Sequence, residues 1–190
     1  GVPIVEDDPY GQLRFEGEHL PSVVALDHIR TNHNTCYSGN VIYISTFSKT
    51  LAPGLRLGWV IAPEEVIRKL VQAKQGTDLH TPTFNQILAH EVSRGGFLDN
   101  HVKLIRQVYH ERRDTLLEAL EEHMPEGVRW SRPQGGLFLW VTIPEHLTTT
   151  DLLKKAIEKK VAFVPGGPFY PNGGGHNTMR LNFSYSKPEM

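Results

Sequence analysis

Cysteine is nearly absent from these 190 residues, with Cys36 standing alone. A single thiol excludes an internal disulfide, so a reducing cytoplasm is the expected location. Cys36 follows the polar run Thr31-Asn32-His33-Asn34-Thr35 and reads as a bystander rather than a nucleophile. An excess of charge of either sign is also missing. Twenty Lys and Arg against 21 Asp and Glu leave a formal net charge of -1, which offers no basic footprint for nucleic acid. No apolar run approaches the roughly 18 residues of a membrane span, and no signal-peptide pattern opens the sequence. The ten histidines, His28, His33 and His80 among them, show no paired metal spacing and read as surface or supporting residues. Repeats and low-complexity tracts are lacking. What remains, at 39% hydrophobic residues, is a chain long enough for a sizeable core.

Two places in that chain concentrate chemistry. In the first, the apolar, β-branched run Val41-Ile42-Tyr43-Ile44 reads as a buried strand that ends in Ser45-Thr46-Phe47-Ser48-Lys49. Lys49 therefore lies just past a strand end, where open α/β sheets put ligands. A lysine at a desolvated mouth favours its neutral form, and a neutral amine attacks carbonyls. Thr46 and Ser48 add hydroxyls, and Arg56 adds a planar cationic fork that a turn at Pro53-Gly54 can bring back. Those groups suit a phosphate dianion. An ordinary loop lysine near an arginine is the competing reading.

The second place is Val2-Pro3-Ile4-Val5-Glu6-Asp7-Asp8-Pro9-Tyr10-Gly11, another apolar strand running into carboxylates, with a tyrosine three residues after Asp7. A carboxylate at a strand end can hold a pyridine nitrogen protonated, and a phenol can bond a ring hydroxyl. A plain Asp-Asp-Pro turn closing a strand competes with that reading.

The remaining pattern predicts strands around Pro3-Val5, Val41-Ile44 and Leu57-Ala62, and a helix over Pro63-Lys74 with two glutamates in its first turn. A loop over Gly76-Thr83 leads to a helix around Phe84-Arg94, and Gly95-Gly96 break the chain before a long helix from about Phe97 to His123. Beyond it come strand patterns at Val128-Arg132 and Leu137-Thr142, and a helix at Thr150-Lys160 capped by Thr149 or Thr150. Two more strand patterns lie near Ala162-Val164 and Met179-Tyr185. The expected division is residues 1–96 as part of a large domain, 97–124 as a connecting helix and 125–190 as a small C-terminal domain.

Taken together, five segments in this order resemble the fold type I pyridoxal-phosphate enzymes. They are Glu6 to Gly11, Ser48 to Gly58, the helix segment with Tyr109 and Arg112-Arg113, Pro133 to Trp140, and Met179 to Ser184. The resemblance is to the class I and II aminotransferases, the branch with 2-aminoadipate and kynurenine aminotransferases and the aminotransferase-like domains of MocR-type regulators. It covers essentially the whole chain. It implies an α/β fold, part of a large mixed-sheet domain plus a small α+β domain, and transfer of an amino group between an amino acid and a 2-oxo acid with ping-pong kinetics.

Residue by residue, the resemblance implies that Lys49 forms the Schiff base with pyridoxal 5'-phosphate. Asp7 pairs with the ring nitrogen, Tyr10 bonds the ring's phenolic oxygen, and Thr46, Ser48 and Arg56 hold the phosphate. Arg180 grips the substrate α-carboxylate, and Gly135 and Gly136 form a close-approach turn beside it. Thr46 stands where most relatives have serine, which keeps the hydroxyl. A homodimer is implied for the full-length protein.

The same resemblance implies that much is missing. Three strands fall short of the family's seven-stranded sheet, and the N-terminal phosphate loop, the stacking aromatic and the final helix have no counterpart. A longer parent protein is therefore expected, with the isolated piece inactive and left with an unpaired edge and a bare apolar face. An effector-sensing domain of a MocR-type regulator and a lyase of the same fold remain alternatives. So does an interaction module without cofactor, against which stand Asp7, Tyr10, Lys49, Arg56 and Arg180 all present together. Substrate identity is open among 2-aminoadipate, aromatic and branched-chain amino acids. The segment Gly76-Pro82 is expected at the site entrance, with His80 either a substrate contact or a plain loop residue.

Overall fold

Strands β1 (Ile4–Asp7), β2 (Val41–Thr46) and β3 (Gly58–Ile61) make one sheet in the order β1-β2-β3, in a computed structural model that describes residues 2–31 and 36–187. His33 lies outside the described residues. β1 and β2 are parallel, with Asp7 opposite Ile44, whereas β2 and β3 are antiparallel, with Thr46 opposite Gly58. Parallel strands need a long crossover, and helix α1 (Val23–Arg30) lies within it. The consequence is that both β1 and β2 end at the same side of the sheet.

The sequence pattern did not predict α1. It is eight residues long, begins with two β-branched valines, and is held by groups remote from it. The Glu6 carboxylate on β1 accepts the amide protons of Val23 at 2.8 Å and Val24 at 3.0 Å. These satisfy two donors that a helix start leaves open, at the positive end of its dipole. Near its other end Asp27, only 9% exposed, accepts from the Tyr37 hydroxyl at 2.6 Å and from the Asn40 amide at 2.9 Å. The Tyr37 oxygen in turn accepts from the Val41 amide. Glu6 and Asp27 thus tie α1 to the sheet strands on either side of it in the chain.

Helix α2 (Glu64–Thr77) begins one residue inside the expected start and runs three residues beyond the expected end, where Lys74 reaches Asp78 at 3.0 Å. Helix α3 (Thr83–Ser93) follows, and Gly95 and Gly96 take φ of 75° and 82°. Those left-handed values suit glycine and break the helical path. Helix α4 (Phe97–His123) then starts and stops at the predicted residues. The first compact unit runs to Arg106 and the second begins at Gln107, so the division falls inside α4. In the first unit Ile4, Val5, Ile44, Val60 and Ile61 of the sheet are exposed.

The second unit contains β4 (Arg129–Trp130), β5 (Phe138–Thr142), α5 (Thr149–Glu158), β6 (Val164–Pro165) and β7 (Thr178–Asn182). Its sheet is antiparallel throughout, in the order β4-β5-β7-β6. Alternation along β5 sends Leu139 and Val141, 1% and 0% exposed, into a core with Leu117 and Leu120 of α4 and Met179 of β7. Phe138 and Trp140 therefore stand on the other face. Because Trp140 pairs with Arg180, and Phe138 with Asn182, that face also carries Arg180. Arg112 of α4 donates to the Ser184 carbonyl, and the buried Arg113 donates to the Pro133 carbonyl at 2.5 Å. The double arginine is structural cross-bracing.

The cap of α5 differs from the expectation. Thr148, not Thr149 or Thr150, is the N-cap, its hydroxyl oxygen accepting from the Asp151 amide at 3.3 Å. Thr149 is fully buried, and its amide and hydroxyl both donate to the His176 carbonyl at 2.8 and 2.9 Å. In a run of three threonines the pattern cannot say which is drawn inward, and burial moved the cap back by one.

Candidate active site

The first unit gathers Asp7, Tyr10, Thr46, Ser48, Lys49 and Arg56 around the ends of β1 and β2. Asp7 is the last residue of β1, and Asp8 leaves the sheet with its amide still bonded to the Ile44 carbonyl at 2.8 Å. The two aspartates divide the work. The Asp8 carboxylate accepts from the Gly11 amide at 2.6 Å and from the Tyr43 hydroxyl at 3.2 Å, while its carbonyl accepts from Ser45 Oγ at 2.8 Å. The turn reading of Asp-Asp-Pro is therefore satisfied by Asp8. Among the described residues the Asp7 carboxylate has no hydrogen-bond or ion-pair partner, and it is exposed. A Cβ on Gly11 would lie 2.4 Å from the Asp8 carboxylate, so a side chain there would displace that carboxylate. Tyr10 precedes a 3-10 turn over Gly11–Leu13 and accepts the Leu13 amide proton on its carbonyl at 2.7 Å.

Burial pushes the Tyr43 phenol above its ordinary range, and the adjacent Asp8 carboxylate acts in the same direction. Tyr43 thus remains a neutral donor to Asp8.

Beyond β2 the chain turns at once. Thr46 Oγ1 donates to the Leu57 carbonyl at 2.6 Å and accepts from the Ser48 amide at 3.1 Å, with the Ser48 hydroxyl 2.9 Å away. The Phe47 carbonyl accepts from the amides of Leu51 and Ala52 at 2.9 and 3.0 Å, closing the turn that carries Lys49. Thr50 beside it is buried and Lys49 half-buried. Among the described residues the Lys49 amine has no ion-pair or hydrogen-bond partner.

Arg56 follows a 3-10 turn over Pro53–Leu55 and adopts a left-handed conformation, φ 52° and ψ 41°. For a residue with a Cβ this costs about 1 kcal/mol, and such strain persists only where surroundings impose it. Besides the Arg56 amide, which donates to the Pro53 carbonyl at 3.3 Å, two side-chain hydrogen bonds restrain the loop. Arg56 Nη1 donates to the Pro53 carbonyl at 3.2 Å, and Asn85 Nδ2 of α3 donates to the Leu55 carbonyl at 3.1 Å. Arg56 itself is exposed. Asn85 is a contributor that sequence reasoning missed, since nothing local links it to a loop 30 positions away.

His80 is exposed, with Nδ1 2.9 Å from the Thr81 carbonyl. With Thr81, Phe47, Trp59, Gln86 and His90 it helps to line a cavity of about 520 Å³. Phe47 and Trp59 meet there with ring centroids 4.8 Å apart.

Arg180 belongs to the second unit. Its guanidinium carbon lies 4.1 Å from the centroid of Phe138 and 5.0 Å from that of Phe169. Nε is buried without a partner. Among the described residues no acceptor is paired with this guanidinium, so its donors are not taken up by the protein. Gly136, in the loop before β5, has φ 78°, a value suited to glycine. Phe138 and Phe169 also escaped sequence reasoning. Alternation could have placed Phe138 opposite the core, but not beside Arg180.

The residues present fit pyridoxal 5'-phosphate. An unpartnered amine, an unpartnered carboxylate, two hydroxyls and an arginine loop converge on one end of one sheet, and an unpartnered guanidinium is available for a carboxylate. Among the described residues no group of three or more His, Cys, Asp or Glu is placed to hold a metal. No helix among them is long and apolar enough to cross a membrane.

Comparison with known proteins gives the same family. The chain is 49% identical over 186 residues to aromatic-amino-acid aminotransferase 1 of Thermococcus litoralis, covering 98% of this chain and 42% of that protein. It superposes with a TM-score of 0.90 and 44% identity on alpha-aminoadipate aminotransferase from Thermus thermophilus, complexed with N-(5'-phosphopyridoxyl)-L-leucine. That match covers 98% of this chain and 46% of that one. An HTH-type transcriptional regulator of Bacillus subtilis, YisV, is 34% identical over 97% of this chain and 36% of its own length. The chain thus spans less than half the length of these relatives. The family model described as aminotransferase class I and II matches residues 1–190, and the chain, with a fold type I α/β architecture, belongs to that family.

Proposed function

We propose that the protein containing this chain is a pyridoxal-phosphate-dependent aminotransferase that moves an amino group between an amino acid and a 2-oxo acid. The observation that carries the reading is the parallel pairing of β1 with β2, which sets the unpartnered Asp7 carboxylate and the turn bearing the unpartnered Lys49 amine at one sheet end. Bound pyridoxal 5'-phosphate supplies the electron sink for the electrons released when the substrate Cα proton leaves. Asp7 would keep the ring nitrogen protonated, and Tyr10 would bond the ring's phenolic oxygen. Ser48, Arg56 and Thr46 would take the phosphate, Thr46 giving up its bond to Leu57 to do so. Lys49 would hold the cofactor aldehyde. Once displaced by substrate, its amine would remove the Cα proton as a base and return it as an acid. Arg180 would take the α-carboxylate in a bidentate pair.

For the whole protein we assign residues 1–96 to the large cofactor-binding domain, 97–124 to the connecting helix and 125–190 to the small domain. A cytoplasmic homodimer is the proposed form. The deciding experiment is the visible absorbance of the full-length protein with cofactor, in wild type and Lys49→Ala. Absorbance that requires Lys49, is lost on adding an amino acid and returns with a 2-oxo acid supports transamination. No Lys49-dependent absorbance would sink it.

The likeness to an HTH-type regulator favours a second reading, an effector-sensing domain that binds cofactor and amino acid. In that case a 2-oxo acid would not restore the absorbance, and the amino acid would instead change affinity for DNA.

A further inference from the structure

We propose that Phe138 and Phe169 are positioning residues for the Arg180 guanidinium, holding it so that its in-plane N–H groups meet the carboxylate of an amino-acid substrate. The inference rests on the reading of Arg180 as the carboxylate receptor.

The pattern begins with register. Arg180 stands opposite Trp140, and Phe138 is two residues from Trp140 on the same face, so the phenyl ring is a diagonal neighbour of the guanidinium. Phe169 arrives from β6. Gly166 donates its amide to the Thr178 carbonyl at 2.7 Å, and a Cβ there would lie 1.9 Å from Thr178 Oγ1, so β6 approaches β7 more closely than a side chain allows. The 3-10 turn Gly167–Phe169 starts there, with the Phe169 amide on the Gly166 carbonyl at 2.9 Å. Trp140 meets Phe169 edge-on, centroids 5.4 Å apart and planes at 84°, which fixes the second ring.

The two rings attract the cation through their electron-rich faces, but they accept no strong hydrogen bond from it. A guanidinium donates in its own plane, so contact with ring faces orients it without using its donors. The usual partner of a half-buried arginine would be a carboxylate, and among the described residues none is paired with it. An arginine held by rings and given no carboxylate by the protein suits a planar two-oxygen anion. Phe169 is 47% exposed, so filling the core is not its main contribution.

The test is isothermal titration of the full-length, cofactor-loaded protein with an amino-acid substrate, with thermal unfolding in parallel. Phe169→Leu should raise the dissociation constant about two- to five-fold, the range expected for one exposed cation–π contact. Phe169→Tyr should restore it. In an Arg180→Gln background Phe169→Leu should have no further effect, because the contact it removes is already gone. If Arg180→Gln weakens binding but Phe169→Leu leaves it unchanged, or lowers only the melting temperature, the positioning role is overturned and the reading of Arg180 survives. If Arg180→Gln leaves binding unchanged, both are overturned.

Discussion

The side-chain amide of Asn85 donates to the Leu55 carbonyl at 3.1 Å, fastening helix α3 to the loop that holds Arg56 in its left-handed conformation. Removing this bond releases the loop, and Arg56 can relax toward an ordinary backbone conformation. Asn85→Ala should therefore weaken cofactor retention in the full-length protein by about 2- to 10-fold, the equivalent of one net hydrogen bond. Spectroscopic titration with pyridoxal 5'-phosphate reads this directly, and an unchanged dissociation constant would show that the loop holds itself.

The adjacent aspartates should separate stability from activity. Asp8→Ala strips the Gly11 amide and the Tyr43 hydroxyl of their acceptor, with an expected loss of about 1–3 kcal/mol in denaturant unfolding. Asp7→Asn removes a charge with no protein partner, so stability should stay within about 0.5 kcal/mol while turnover is lost. The reverse pattern would mean that the two roles are exchanged.

Acid should reach α1 through Asp27. The Tyr37 hydroxyl first, and the Asn40 amide second, hold its carboxyl below the ordinary aspartate range. A depressed folded-state value means stability that is present above the unfolded carboxyl's pKa, about 3.9, and lost as pH falls through the folded value. The gap in melting temperature between wild type and Tyr37→Phe should be widest above about pH 4 and narrow in stronger acid. The part that remains reflects the Val41 amide, which loses the same oxygen. A gap independent of pH would remove Asp27 from the account.

Gly166 should be intolerant of a side chain. Gly166→Ala places a Cβ 1.9 Å from Thr178 Oγ1 and 2.8 Å from the Thr178 carbonyl oxygen, an overpacking expected to cost about 1–3 kcal/mol. Adding Thr178→Ala removes the hydroxyl but leaves the carbonyl, so rescue in chemical denaturation should be partial. Full rescue would show that the backbones can part.

The cap of α5 gives a paired control. Thr148→Ala should cost about 1 kcal/mol, and exposed Thr150→Ala should stay within about 0.5 kcal/mol. Equal losses in urea unfolding would mean that the helix start frays between the two.

Much of the fold was open to local reading. The bounds of α4 are correct at both ends because Gly95 and Gly96 stop one helix and an unbroken apolar period sustains the next. Leu117 and Leu120 of that helix are buried. Helix α1 escaped although Ser22 caps its start locally, because it is short and its closer ties, from Glu6 to its first amides and from Asp27 to Tyr37, join positions far apart in the chain.

By itself the sequence determined the family and the residue types of the candidate site, since Lys49 past a strand, its hydroxyl neighbours, Arg56 and the Asp7–Tyr10 pair are all legible from short segments. It also determined most elements, because period and turn chemistry act over a few residues. Only the tertiary structure decided that Asp8 and not Asp7 makes the turn, that Asn85 restrains the arginine loop, and that Phe138 and Phe169 attend Arg180. Each of these depends on strand register or on a hydrogen bond between distant positions. A one-residue slip of β5 against β7 would send Phe138 into the core and away from Arg180, and no local pattern specifies that alignment.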